Sequence, residues 1–170
     1  MLGFFLEPYH SSFRKRLSQK PKFYFFDIGV TKALCHLLSL PVLPRTAAFG
    51  ESFEHFIILE CQKLASYYRL NYRFSYLRTK DDAEIDLIVE RPGQPLLCIE
   101  IKSAESVSAD DIRSFADITS DLPNSVAVCL CNEPIARKVG HVSVLPWKEG
   151  LMQFFQRDAG IPDRAIITPT

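Results

Sequence analysis

The sequence predicts an α/β fold in which helices cover both faces of a mixed β-sheet. Three strand-like segments follow a mostly apolar helix, and a second helix separates them from another apolar strand. A helix that joins two strands of one sheet packs on a face of that sheet, so this order favours helices on both faces. The composition agrees, because 170 residues with 47% hydrophobic and 24% charged side chains are typical of a globular domain and not of a disordered chain.

The first 45 residues are predicted to form an N-terminal appendage. An aromatic, strand-like run covers residues 22–30, and apolar spacing over 30–40 predicts a short amphipathic helix that ends before Pro41. The sequence has no run of about 18 apolar residues and no signal-peptide pattern at its start. We therefore expect a cytoplasmic protein without a membrane partner.

The core is predicted over residues 46–157, with a loose tail over 158–170. Its first helix follows Ser52 and is apolar on most sides, which indicates burial. The remaining predicted elements are strands at 71–78, 83–90 and 95–102, a turn at 91–94, a helix at 110–122, strands at 125–132 and 141–147, and a terminal helix from about Lys148 to Gln156.

Charged side chains interrupt the two most apolar strands. Asp86 lies within the second strand, and Glu100 and Lys102 lie two positions apart in the third. Side chains two positions apart face the same side of a sheet. A hairpin turn near residues 92–93 places Asp86 close to Glu100 across the two strands. The pattern therefore predicts two carboxylates and a lysine that converge.

Glu54 adds a third carboxylate from the apolar side of the first core helix. Glu51 lies on the same side and could take its place, whereas Glu60 points elsewhere. An acid on an apolar helix face is costly unless it is paired or binds a cation. Three carboxylates favour Mg²⁺ or Mn²⁺. From the charges alone, a structural ion network closed by Lys102 is an equal alternative.

These residues resemble the signature of the PD-(D/E)xK nuclease superfamily. Asp86, Glu100 and Lys102 match its D-(x)n-(D/E)-x-K string, although isoleucine stands before the first acid where the signature has proline. Gly50 to Glu54 resembles the G-x3-E opening of the first helix in archaeal Holliday-junction resolvases. The resemblance implies a restriction-endonuclease-like αβββαβ core, three acids as ligands of Mg²⁺ or Mn²⁺, the Ile101 carbonyl as a further ligand, and a catalytic lysine.

A closer resemblance covers nearly the whole chain. Residues 6–30, 50–60, 76–90 and 99–106 resemble the C-terminal domain of unknown function of prokaryotic AAA-type ATPases. In that family a P-loop ATPase module and a small winged-helix region precede the domain. This chain has no G-x4-G-K-[ST] string, so no ATP site of that type is expected in it. The resemblance implies an ATPase module or a separate ATPase as partner, and junction-cleaving relatives imply a homodimer.

Basic residues are concentrated in the N-terminal half. The first 80 residues carry a net charge of +7 and the remainder −7. Arg14, Lys15 and Arg16 lie in a segment flanked by aromatic residues, a pattern suited to a phosphate backbone, with a solvated linker as the alternative. Arg78 and Lys80, next to the strand ends, are further candidates for phosphate contacts. The predicted function is a metal-dependent DNA phosphodiesterase; the alternative is a catalytically silent module of the same fold that binds DNA or a protein.

The cysteines predict no disulfide or zinc site. Their number is odd, and no C-x2-C pair with matching histidines is present. We expect reduced, mostly buried thiols. The five are Cys35, Cys61, Cys98, Cys129 and Cys131.

Overall fold

The computed structural model describes residues 2–9 and 20–156. The predicted contacts of Arg14, Lys15 and Arg16, and the predicted tail over 158–170, lie outside these ranges. The strands are β1 (Gly3–Pro8), β2 (Lys22–Phe25), β3 (Arg73–Arg78), β4 (Glu84–Glu90), β5 (Leu96–Ile101), β6 (Ser125–Cys131), β7 (Arg137–Val139) and β8 (Val142–Pro146). The helices are α1 (Ile28–Leu34), α2 (Ala47–Tyr67), α3 (Arg113–Ser120) and α4 (Trp147–Phe155), with a 3-10 turn at Asp110–Ile112 before α3.

The strands form one mixed sheet in the order β2-β1-β3-β4-β5-β6-β8-β7. Pairing is antiparallel from β3 through β5 and parallel from β5 through β6 to β8. This confirms the predicted α/β class with a mixed sheet flanked by helices. Among the described helices, none combines the length and the apolar composition that crossing a membrane requires.

Two apolar clusters, one on each face of the sheet, attach the helices. On one face, Ile57 of α2 and Phe155 of α4 pack with β4, β5 and β6 residues. On the other face, Phe115 of α3 packs with Ile88 and Cys98. Since all these side chains are at most 2% exposed, their burial accounts for much of the stability of this fold.

Helix α2 begins at Ala47, six residues before the predicted start, because Thr46 provides the N-cap. Its hydroxyl oxygen accepts a hydrogen bond of 3.2 Å from the Phe49 N–H. The first turn therefore includes Gly50, and the predicted boundary after Ser52 is wrong. Helix α1 also differs: Asp27 caps its start, and it ends at Leu34, before the predicted stop at Pro41.

Two strands were not predicted. β1 pairs antiparallel with β2 and parallel with β3, so both N-terminal strands extend the same sheet as the core. β7 has three residues and pairs antiparallel with β8. Neither segment shows a long alternation of apolar and polar residues, which is the signal that identifies a strand in a sequence. The division into an appendage, a core and a tail stays a prediction.

Candidate functional site

The hairpin of β4 and β5 positions two of the predicted acids. Leu87 pairs with Ile99 and Val89 with Leu97, the register expected from the turn. Continued by one position, this register sets Asp86 opposite Glu100, at the end of β5.

A bulge in β4 lies at Asp86. Across the pair with β3, Ser75 faces Ile88 and Leu77 faces Ile85, so β4 carries one residue more than β3 in this stretch. Bulges re-aim side chains and are frequent beside active sites. Here the Asp86 carboxylate accepts a 2.8 Å hydrogen bond from the Ile101 N–H.

Glu100 is buried with half of its carboxylate satisfied. Its Oε1 lies 2.7 Å from the Lys102 Nζ. Its Oε2 is buried and has no hydrogen-bond partner among residues 2–9 and 20–156. The pKa of Glu100 is above its usual value. Burial is the largest cause, the charges of Glu54 and Glu84 add to it, and Lys102 opposes the rise without cancelling it. A buried carboxylate oxygen without a partner costs free energy unless a ligand satisfies it.

Glu54 reaches the same region from α2. The Tyr24 hydroxyl donates a 2.8 Å hydrogen bond to Glu54 Oε1, and the Lys22 Nζ lies 3.7 Å from the same atom. Glu51 is exposed. The contacts therefore favour Glu54 over Glu51 as the helical acid of the site.

The three acids lie close enough to affect one another. Burial raises the pKa of Asp86 well above its usual value, and the negative charges of Glu100 and Glu54 raise it further. The Ile101 N–H and Lys22 oppose this rise without cancelling it. Among the described residues, the region holds four acids and three cationic neighbours: Glu54, Glu84, Asp86 and Glu100, and Lys22, Arg78 and Lys102. When the acids are ionised, this imbalance favours a further cation.

Three residues of the site were not predicted from the sequence: Lys22, Tyr24 and Glu84. The Lys22 ammonium donates a hydrogen bond to Glu84. Burial lowers the pKa of Lys22, but the neighbouring acids Glu84, Glu54 and Asp86 raise it, and the net pKa is above the usual value. Burial and the charge of Glu54 raise the pKa of Tyr24. One signal was available: Lys22 and Tyr24 alternate with phenylalanines in β2, which places two polar side chains on one face.

Of the two predicted phosphate contacts in the described residues, Arg78 bonds an acid of the site and Lys80 is exposed. Arg78 donates hydrogen bonds to Glu84, with its Nη2 2.7 Å from Oε2. Lys80 is exposed in the turn between β3 and β4. His55, beside Glu54 in sequence, bonds the Phe25 carbonyl oxygen through Nε2 at 2.7 Å. The described part of the chain thus brings Glu54, Asp86, Glu100 and Lys102 into one region, with Arg78 at its edge through Glu84.

The donor atoms of the cluster are of the type that a hard divalent cation prefers, but their spacing among the described residues does not form a site for one. The free donor atoms are carboxylate oxygens, the ligands that Mg²⁺ and Mn²⁺ prefer. The buried Glu100 Oε2 without a partner is the donor that a cation would satisfy. Within residues 2–9 and 20–156, no three His, Cys, Asp or Glu side chains already stand at metal-holding positions. Binding of a cation by three of these acids would therefore require their side chains to move from the positions they have here.

Comparisons with known proteins extend over most of this core. A family model described as "Domain of unknown function (DUF4143)" matches residues 49–149. Uncharacterized proteins of Mycobacterium tuberculosis and Mycobacterium bovis are each 34% identical over 117 residues, which is 69% of this chain and 25% of theirs. The chain therefore spans about a quarter of the length of these curated relatives.

One solved structure was also found, a half-complex of Thermococcus gammatolerans McrB AAA+ hexamers with bound McrC. The similarity covers 77% of this chain and 43% of that one, at 13% identity and a TM-score of 0.39. At that TM-score the likeness carries no argument about fold or function.

Proposed function

This chain belongs to the DUF4143 family, and from that premise we propose that it is a divalent-metal-dependent DNA phosphodiesterase with a PD-(D/E)xK-type core. The buried Glu100 oxygen without a partner carries the proposal, since it lies in a cluster of three mutually repelling acids. A structural ion network satisfies its charged atoms, whereas this cluster leaves a carboxylate oxygen open. The restriction-endonuclease-like core belongs to the same proposal.

In this proposal, Glu54, Asp86 and Glu100 hold Mg²⁺ or Mn²⁺. A bound cation of this kind supplies a water of lowered pKa and stabilises negative charge on phosphate oxygens. The Ile101 N–H orients the Asp86 carboxylate, and Tyr24 orients that of Glu54. Both hydrogen bonds leave the second oxygen of each carboxylate available.

Lys102 is the catalytic residue in this proposal. Its ammonium group bonds Glu100 at 2.7 Å and remains about one-third exposed, so it can face both the acid cluster and a bound phosphate. Its pKa lies above the usual value, because the charges of Glu100 and Asp86 outweigh the effect of burial. In its protonated form this lysine would stabilise negative charge on the phosphorane-like transition state.

A second function is favoured by the same ion pairs. Lys102 neutralises Glu100, and Lys22 lies between Glu54 and Glu84. If these pairs persist when cations are present, the domain is a catalytically silent module of nuclease fold that binds DNA or a protein partner. An ATPase partner and a homodimer are proposals that rest on the family resemblance, as is the activity of the longer protein.

The test is Mn²⁺ binding by calorimetry, followed by cleavage assays on branched and linear DNA. Wild-type protein should bind Mn²⁺ stoichiometrically, and the Asp86→Ala, Glu100→Ala double variant should not. Asp86→Asn alone serves if the double variant does not fold. Glu60→Ala is the matched control, because Glu60 pairs with Lys63 elsewhere on α2. A folded wild-type protein that binds no Mn²⁺ would overturn the proposal and favour the silent module.

A further inference from the structure

A large apolar cavity opens between β2, α1 and the first turns of α2. Its volume is about 680 Å³, within the usual range for ligand pockets of roughly 300–1,000 Å³. Leu37, Leu40 and Leu43 of the loop after α1 contribute to its wall and remain exposed. Apolar side chains that line a concave surface and stay exposed indicate a binding site more than a folding core.

The cavity is continuous with the carboxylate cluster. Tyr24 and Glu54, which are hydrogen-bonded to each other, both line it. Ala48, Ser52 and His55 also line it, at spacings that place them on one face of α2. A molecule in the cavity would therefore lie directly beside Glu54, the helical acid of the proposed metal site.

A few polar groups are set into this apolar wall. The Thr31 hydroxyl oxygen is buried and has no hydrogen-bond partner among the described residues. Two acidic side chains, Glu51 and Glu54, and one basic side chain, Lys32, line the wall, so its charged groups sum to −1 when ionised and disfavour a fatty acid inside the cavity. The lining therefore suits a flat, uncharged group with apolar faces and a hydrogen-bonding edge.

We infer that the cavity takes the unstacked base of a nucleotide whose phosphate lies at the carboxylate cluster. A nucleobase has the required shape and chemistry, and proteins that hold unstacked bases use apolar and aromatic walls with a few polar contacts to the base edge. The substrate is then single-stranded DNA, or a duplex with a base outside the stack. This inference rests on the proposed function and deepens it by naming the substrate class.

The experiment fills the cavity. Affinity for a fluorescein-labelled single-stranded oligonucleotide is measured by anisotropy with Ca²⁺ in place of Mg²⁺ or Mn²⁺, because without a cation the acids would repel the phosphate, and is compared with the affinity for the same sequence as a duplex. The variants are Ala48→Trp, which occupies the cavity from α2, and Thr31→Val, which removes the polar contact at similar volume. Ala33→Trp is the matched control, because Ala33 is exposed on α1 and does not line the cavity.

We expect wild-type protein to prefer the single strand, and Ala48→Trp to weaken its binding by about tenfold, as for the loss of one stacked base. Thr31→Val should weaken it by about threefold or more, and Ala33→Trp should leave it unchanged. Equal single-strand affinity of Ala48→Trp and Ala33→Trp would overturn the inference, as would a wild-type preference for duplex.

Mn²⁺ calorimetry on the same proteins separates this inference from the proposed function. If the protein binds Mn²⁺ and cleaves DNA but Ala48→Trp does not change its affinity for the single strand, the phosphodiesterase is supported and the base pocket is contradicted. Loss of single-strand affinity in Ala48→Trp without Mn²⁺ binding by the wild type would support the pocket and remove the phosphodiesterase.

Discussion

The backbone N–H of Ile101 donates a 2.8 Å hydrogen bond to Oδ2 of Asp86. This bond joins the bulge of β4 to the end of β5 and fixes one carboxylate oxygen of Asp86. Since the acid is buried beside Glu100 and Glu54, the bond holds a negative charge in a place where it is costly. A costly charge held in a fixed position is the arrangement expected of a binding site rather than of a stabilising core.

Asp86→Asn should therefore stabilise the protein at neutral pH while abolishing Mn²⁺ binding. The pKa of Asp86 is raised in the folded state, so the ionised acid lowers stability once the pH rises through that pKa. An asparagine still accepts the Ile101 N–H bond and carries no charge. We expect a gain of about 1 kcal/mol in the free energy of unfolding, measured by urea denaturation at pH 7.5.

Asp117→Asn is the matched control, because Asp117 is exposed on α3. It should change neither stability nor Mn²⁺ binding. A loss of stability in Asp86→Asn would show that the Asp86 carboxylate is satisfied in the folded protein and would contradict this account of the site.

The affinity of the wild-type protein for Mn²⁺ should rise with pH across a window above the ordinary titration range of carboxyl groups. Burial raises the pKa of both Asp86 and Glu100, and a cation displaces the protons that these acids retain. Calorimetry in buffers of different ionisation enthalpy should detect proton release on binding. Affinity that is constant above about pH 5 would mean that both acids are already ionised, with pKa values in their ordinary range.

Lys22→Met should raise the affinity for Mn²⁺. The Lys22 ammonium lies 3.7 Å from Glu54 and bonds Glu84, so it competes with a cation for the same negative potential. Removal of one positive charge near the cation should remove a repulsion of about 1 kcal/mol. We therefore expect the Mn²⁺ affinity to increase by about threefold to tenfold. Lys63→Met is the control, since Lys63 pairs with Glu60 on an exposed part of α2. Reduced affinity in Lys22→Met would instead assign Lys22 a role in positioning Glu54.

The sequence predicted the hairpin acids because the information that places them is local. Asp86 and Glu100 are separated by one turn, and the period of two along each strand fixes which residues face each other. Glu54 could be recognised because an acid among the apolar residues of a helix is rarely buried unless it is paired or binds a cation. The ion pair of Glu100 with Lys102 follows from the same period of two.

Lys22 and Tyr24 could not be placed, because their position depends on how β2 joins the sheet. β2 reaches the core through β1, and the Lys22–Glu84 contact spans 62 positions of sequence. Neither the turn chemistry nor the periodicity of β2 specifies such a pairing. Lys22 lies at the end of the basic segment that begins at Arg14 and is predicted to contact nucleic acid, whereas in the fold it faces acids of its own chain.

Gly150→Ala and Gly50→Ala should have opposite effects on stability. A Cβ at Gly150 would lie 2.3 Å from Leu130 Cδ2, in the buried contact between α4 and β6. The substitution should destabilise the protein by about 1–3 kcal/mol through overpacking. At Gly50 a Cβ would meet only the Ser103 hydroxyl at 3.9 Å, so alanine should stabilise α2 by about 0.5 kcal/mol. Thermal unfolding of both variants measures this difference, and a destabilised Gly50→Ala would reveal a constraint at the start of α2 beyond these contacts.

The cysteines should divide into one reactive and four protected thiols. Cys35 is exposed at the end of α1, whereas Cys61, Cys98, Cys129 and Cys131 are buried. Burial raises the pKa of Cys98 to about 12 and shifts the other three buried thiols upward as well, which removes the reactive thiolate at neutral pH. Iodoacetamide at pH 8 should modify Cys35 within minutes and the others only as fast as the protein unfolds, measured by mass spectrometry of peptides. Rapid modification of Cys98 in the folded protein would mean that the face of the sheet covered by α3 opens readily, and the acid cluster at the end of β5 would then be less protected from water than its burial indicates.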